Sequence, residues 1–156
     1  MRVLFVCTGN TCRSPLAEAI ARELAAKRGL ADVVFESAGT SAWEGAPASD
    51  GAMLVGLERN LDLNSHRARQ LTRELVESSD LLLAMGPHHL ERIEALGGIG
   101  KAHLLTAYAS HGKDERAVSD PFGGDLDVYR SAVDELTREL ERTFDRLVST
   151  RSSENR

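Results

Sequence analysis

The chain predicts an α/β protein built on a parallel sheet covered by helices on both faces, and three observations carry that prediction. Short apolar runs alternate with helical patterns along the sequence. The runs RVLFV (Arg2–Val6) and DLLLAM (Asp80–Met85) are apolar at nearly every position, as strands buried on both faces are. Glycine and proline then close the segments, at Gly29, Gly86-Pro87 and Gly97-Gly98.

Taken in order, Arg2–Val6 reads as a first strand and Ser14–Arg28 as a helix on which Leu16, Ile20 and Leu24 share a face. Ser14 suits an N-cap, Pro15 the first helical position and Gly29 the stop. Val33–Glu36 is a second strand, followed by the small-residue loop SAGTSAWEGAPAS. Ala48–Leu57 and Thr72–Ser78 read as helices separated by a mostly irregular stretch, Leu61–Leu71. Asp80–Met85 is the third strand, His88–Leu96 a helix and His103–Leu105 the fourth strand. A polar stretch, Ser110–Asp125, precedes a final helix with Tyr129, Val133, Leu136, Leu140, Phe144 and Leu147 along one face. Residues 1–148 are expected to form a single domain and Ser149–Arg156 a polar tail that frays.

Composition excludes several function classes. A net charge of −5 argues against a nucleic-acid or anionic-membrane partner. The longest apolar runs fall far short of the roughly 20 residues that span a bilayer. No apolar leader with a small-residue cleavage site opens the chain, so the cytoplasm is the default location. The two cysteines, Cys7 and Cys12, stand together near the start and share no metal-ligand spacing with the histidines. No metal and no cofactor are expected, and the thiols point to reactivity.

The stretch VLFVCTGNTCRSP puts Cys7 at the carboxyl end of the first strand, where ligands bind in open parallel sheets. Thr8, Gly9, Asn10, Thr11 and Cys12 then form a short loop before Arg13 and the helix. Gly9 frees the backbone to turn, so that successive N–H groups can converge on an anion. The helix start adds its positive dipole end, and Arg13 a planar fork that matches two phosphate oxygens. The same field favours the charged, nucleophilic form of Cys7. Cys-x5-Arg spacing alone is weak in a chain with 16 arginines, and the strand, Gly-Asn and Ser-Pro context strengthens it. Cys12 is read equally as packing or as a redox partner of Cys7. Phosphoryl transfer also needs an acid for the leaving group, and Asp120 in SDPFGGD, on a turn-rich polar loop, is the best candidate.

VLFVCTGNTCRSP together with DPFGGDLDVY resembles the low-molecular-weight protein tyrosine phosphatase family, and SAGTSAW, HRARQL and DLLLAM match as well. The resemblance spans about Arg2 to Leu147. It implies a four-stranded parallel sheet with the phosphate-binding loop after the first strand, and two-step catalysis without metal on phosphorylated proteins by a monomer. Cys7 would attack phosphorus to form phosphocysteine, Arg13 and the loop amides would hold the oxygens, and Asp120 would alternate as acid and base. It also implies that Asn10, Ser14, Ser37 and His66 form a hydrogen-bond network behind the loop, with Ser14 supporting the thiolate.

Two departures bear on the substrate. Tyrosine-directed members carry a bulky aliphatic residue where this chain has Thr11, and two tyrosines where it has Phe122-Gly123. CTGNTCRSP with DPFGG resembles the bacterial branch that dephosphorylates protein arginine, so phosphoarginine is favoured and phosphotyrosine is the alternative. Thr11, Phe122 and Trp43 are the expected substrate wall. ASDGAM replaces the Asp-Pro-Arg-Ala often seen after the Trp loop. Among rival classes, an arsenate reductase of the relay type would need further cysteines near the third strand, and Asp80–Leu90 has none. A phosphocysteine carrier would not need Arg13 and Asp-Pro together, and a phosphate-binding module without activity would not keep every catalytic residue.

Overall fold

The structure, a computed structural model, describes residues 1–154. Strands β1 (Arg2–Cys7), β2 (Val34–Gly39), β3 (Leu81–Ala84) and β4 (Ala102–Leu104) form one sheet in the order β2-β1-β3-β4. Every neighbouring pair is parallel. β1 is thus an inner strand, with Val3–Val6 paired to β2 on one side and β3 on the other.

Alternation along β1 divides the interior in two. Val3, Phe5 and Cys7 face a core shared with helix α1 (Arg13–Lys27) and helix α6 (Leu126–Glu154). Leu4 and Val6 face a second core with Val76 of helix α3 (Arg73–Ser78) and Ile93 of helix α4 (Pro87–Ile93). Helices therefore cover both faces, which is why the strands read as continuous apolar runs. Phe35 stands between Phe5 and Phe144, with ring centroids 6.1 and 5.4 Å away, and ties β1 and β2 to α6. The six residues expected on one face of the last helix, Tyr129 to Leu147, are all buried.

Local chemistry explains most boundaries. Helix α2 (Asp50–Glu58) starts behind Ser49 and α3 behind Thr72, whose hydroxyls accept from the amides of Ala52 and Leu75. Gly29 ends α1 at φ 72°, a conformation glycine adopts without strain. Ser14 is not the N-cap of α1: that position is Cys12, and the Ser14 hydroxyl is used in the site instead. Pro15 lies within the first turn, where a missing N–H breaks no helical bond. α4 gives way to a wider π-type turn, Glu94–Gly98, in which Gly97 takes φ 102°.

One expectation is corrected. Leu105 does not end the fourth strand; it opens a short helix, α5 (Leu105–Ala109), whose five residues are too few to show a periodicity. Helix α6 runs past Ser149 into the polar tail as far as Glu154, with Arg151 donating to Asp32 at 3.0 Å. Residues 155–156 of that tail lie outside the described residues. Among the described residues no helix is long and apolar enough to cross a membrane.

Candidate active site

β1 ends at Cys7 and α1 begins at Arg13, so Thr8–Cys12 make the whole connection at the carboxyl edge of the sheet. Asn10 takes φ 57°, a left-handed conformation that asparagine tolerates better than most residues. Gly39, at the end of β2, must be glycine: a Cβ there would come within 2.4 Å of the Thr8 carbonyl oxygen and 2.9 Å of the Asn10 nitrogen. The amides of Thr40, Ser41 and Ser49 donate to the carbonyls of Cys7, Thr8 and Thr11, each at 2.9 Å. With these carbonyls held outward, the loop has the polarity that turns N–H groups toward an anion.

Behind the loop, each hydrogen bond forces the direction of the next. Asn10 Nδ2 donates to Ser14 Oγ at 2.8 Å and to Ser37 Oγ at 3.0 Å. Ser37 then gives its proton to Glu18 Oε1 at 2.9 Å. Ser14, already an acceptor, has its proton free for Cys7 Sγ at 2.9 Å. The Asn10 carbonyl accepts from His66 Nε2 at 2.7 Å, and its Oδ1 from the Arg69 amide at 3.0 Å. The network expected from Asn10, Ser14, Ser37 and His66 is therefore assembled, and it ends by presenting an O–H to the thiol.

Cys7, Thr8, Gly9, Thr11, Cys12, Arg13, Asp120 and Phe122 line one cavity of about 210 Å³. Arg13 is almost fully buried, with Nη1 donating to the Val118 carbonyl at 3.0 Å and Nη2 3.5 Å from Asp120 Oδ2. Asp120 itself is half-exposed, and its Oδ1 accepts from the Phe122 amide at 3.1 Å. Of the residues expected to form the substrate wall, Thr11 and Phe122 line this cavity. Trp43 does not: it is absent from the cavity lining and is 84% exposed. The loop that carries it is anchored elsewhere, with Ala46 accepting from the Ala68 amide and Ala68 from that of Gly45. Cys12 Sγ lies 3.3 Å from both Ser49 Oγ and Tyr129 Oη, so it ties the loop to α2 and α6. Among the described residues, no cluster of three or more His, Cys, Asp or Glu side chains could hold a metal ion. A larger groove of about 630 Å³ lies behind the loop, beside Glu18, Ser37 and His66, but does not reach Cys7.

The family profile for low molecular weight phosphotyrosine protein phosphatases matches residues 2–153. The chain belongs to this family. It is 41% identical over 155 residues to a protein-arginine-phosphatase of Bacillus subtilis (strain 168), covering 97% of this chain and 99% of that protein. It is 36% identical to the low molecular weight protein-tyrosine-phosphatase PtpB of Staphylococcus haemolyticus (strain JCSC1435), covering 87% and 92%. A solved structure of the YwlE arginine phosphatase, a cysteine-to-serine mutant with its active-site serine phosphorylated, superimposes with a TM-score of 0.88. That match has 39% identity and covers 94% of this chain and 95% of the other.

In this phosphatase three contributors to the site had no legible sequence signal. Glu18 ends the chain of donors, and only its place one helical turn after Ser14 could have suggested it. His89 packs under the loop, its Nε2 2.8 Å from Thr8 Oγ1. Arg116 holds the loop that carries Asp120 against α6, reaching Glu135 through Nη1, Glu139 at 2.8 Å and Asp114 at 3.0 Å.

Proposed function

We propose that the protein is a cysteine-dependent protein phosphatase that works through a phosphocysteine intermediate and favours phosphoarginine. The observation that carries the reading is the convergence of Cys7, Arg13 and Asp120 on one small cavity, with Ser14 aimed at the thiol. In the first step Cys7 Sγ bonds to phosphorus while the bond from phosphorus to the leaving nitrogen breaks. Asp120 gives that nitrogen a proton, and Arg13 with the loop amides holds the phosphoryl oxygens. In the second step Asp120, now a carboxylate, takes a proton from water as the water oxygen attacks phosphorus. The S–P bond breaks, giving inorganic phosphate and the Cys7 thiolate, whose charge the Ser14 proton and the helix end stabilise.

Thr11 supports the choice of phosphoarginine. It puts a hydroxyl on the wall where a phenyl ring would want an apolar side chain, and Asp120, which lines the same cavity, suits a guanidinium cation. The name of the Bacillus subtilis relative agrees with that preference. Phosphotyrosine remains the second reading, favoured by the Phe122 ring, which lies 75% exposed at the cavity mouth and offers apolar surface to a phenol. Phosphorylated proteins are the partners in either case, met by a monomer in the cytoplasm. Release of inorganic phosphate from an aryl phosphate tests the reaction class. Cys7→Ser should lower turnover to background while still binding phosphate, because a serine hydroxyl does not ionise here and the loop amides remain. Undiminished turnover in that variant would contradict the phosphocysteine route.

A further inference from the structure

Thr8 lies next to the nucleophile, is exposed and lines the cavity, yet the two steps above make no use of its hydroxyl. Its Oγ1 is 2.8 Å from His89 Nε2. His89 stands on α4, is completely buried, and its Nδ1 has no hydrogen-bond partner. These facts decide the tautomer. A neutral imidazole carries one N–H. On Nδ1 that N–H would be a buried donor with nothing to bond, the arrangement that folded proteins tolerate least. On Nε2 it bonds Thr8 and leaves only an unfilled lone pair at Nδ1. Burial keeps the ring neutral down to about pH 4, aided by the charges of His88 and Arg13 and opposed by that of Asp120. Nε2 therefore donates, Thr8 Oγ1 accepts, and the Thr8 proton is left for a partner in the cavity.

We propose that Thr8 is a further substrate-contacting residue, donating its hydroxyl proton to a phosphoryl oxygen, and that His89 is the positioning residue that leaves it that proton. The inference rests on the phosphatase reading. It gives the loop a side-chain donor beside its amides, held from the α4 side of the sheet while Ser14 is held from the α1 side.

The test compares binding of inorganic phosphate and turnover of 4-nitrophenyl phosphate in the wild type, Thr8→Val, Thr8→Ser, His89→Leu, His89→Gln and the double variant Thr8→Val/His89→Leu. Thr8→Val should weaken phosphate binding and kcat/KM about tenfold, the scale of one hydrogen bond to a charged group, and should lower the melting temperature as well, because the buried His89 Nε2–H loses its acceptor. Thr8→Ser should retain both, as should His89→Gln, whose amide nitrogen takes the place of Nε2. His89→Leu should cost about as much as Thr8→Val alone and almost nothing once Thr8 is Val. Wild-type phosphate binding in Thr8→Val would overturn the proposal, and so would an equal His89→Leu penalty in both backgrounds. If His89→Leu does not fold, Thr8→Val and His89→Gln decide the matter. Failure of the wild type to release phosphate would overturn the phosphatase reading instead, and phosphate binding would still report on Thr8.

Discussion

A hydroxyl that already accepts a hydrogen bond has its proton left to give, and that rule directs the chemistry on this loop. Ser14 accepts from Asn10 and so faces Cys7 as a donor. Asp120 is the proposed acid, and its substitution should be felt unequally. Asp120→Asn should slow hydrolysis by about 10² to 10⁴ where the leaving group is basic, and much less for an activated aryl phosphate, which departs without a proton. A series of aryl phosphates of graded basicity checks this, and an equal loss across the series would remove Asp120 from the acid role. His89 supplies a prediction about stability. Its folded pKa of about 4 lies below the ordinary 6.5 because burial disfavours the cation. Between those values the unfolded chain takes up a proton that the folded protein refuses, so stability falls as pH drops through that window. From pH 7 to pH 5 the wild type should lose about 2 kcal/mol more than His89→Gln in urea unfolding. Parallel losses would mean that His89 takes its proton freely in the fold.

At the level of elements, the sheet sets where the chemistry can occur and two side connections set its precision. The carboxyl end of β1 and the start of α1 place Cys7 and Arg13 at the two ends of one short loop, which the amides of Thr40, Ser41 and Ser49 then hold. Asp120 comes from a long connection between α5 and α6 and needs anchors. The Val118 amide donates to the Met85 carbonyl at 2.8 Å, and Arg116 spans to Glu135 and Glu139 on α6. Glu139 is buried, and its Oε2 has no hydrogen-bond partner, so Arg116 is its principal compensation. Arg116→Met should destabilise the protein by about 2 kcal/mol, less than a fully buried pair would cost because Arg116 is partly exposed. It should also lower kcat several-fold while leaving phosphate affinity near the wild-type value, since the cysteine loop is untouched. Thermal unfolding together with steady-state kinetics checks both. A loss of stability with unchanged kcat would make the clamp purely architectural.

For the whole molecule, what could be read in advance divides by the range of the interactions. Strand and helix order followed from apolar runs and stops, and the cysteine loop from a contiguous motif, because both are written locally. Asn10, Ser14, Ser37 and His66 could be named together only through family resemblance, since bonds between the loop after β1, strand β2 and the stretch before α3 leave no periodic trace. Glu18, His89 and Arg116 escaped for the same reason: each acts through contacts that are distant in sequence. α5 escaped by brevity, and Trp43 was misplaced because a lone aromatic carries no information about which side of its loop it occupies. On the proposed reading the substrate depends on the cavity wall, where Thr11 outweighs the shared phosphate cradle. The direct measurement is kcat/KM on matched phosphoarginyl and phosphotyrosyl peptides for the wild type and Thr11→Ile. The wild type should prefer phosphoarginine, and Thr11→Ile should move the ratio toward phosphotyrosine by about 1–3 kcal/mol, the scale of one pocket contact, with phosphate release intact. A wild type that already prefers phosphotyrosine, with a ratio that Thr11→Ile does not move, would contradict the account.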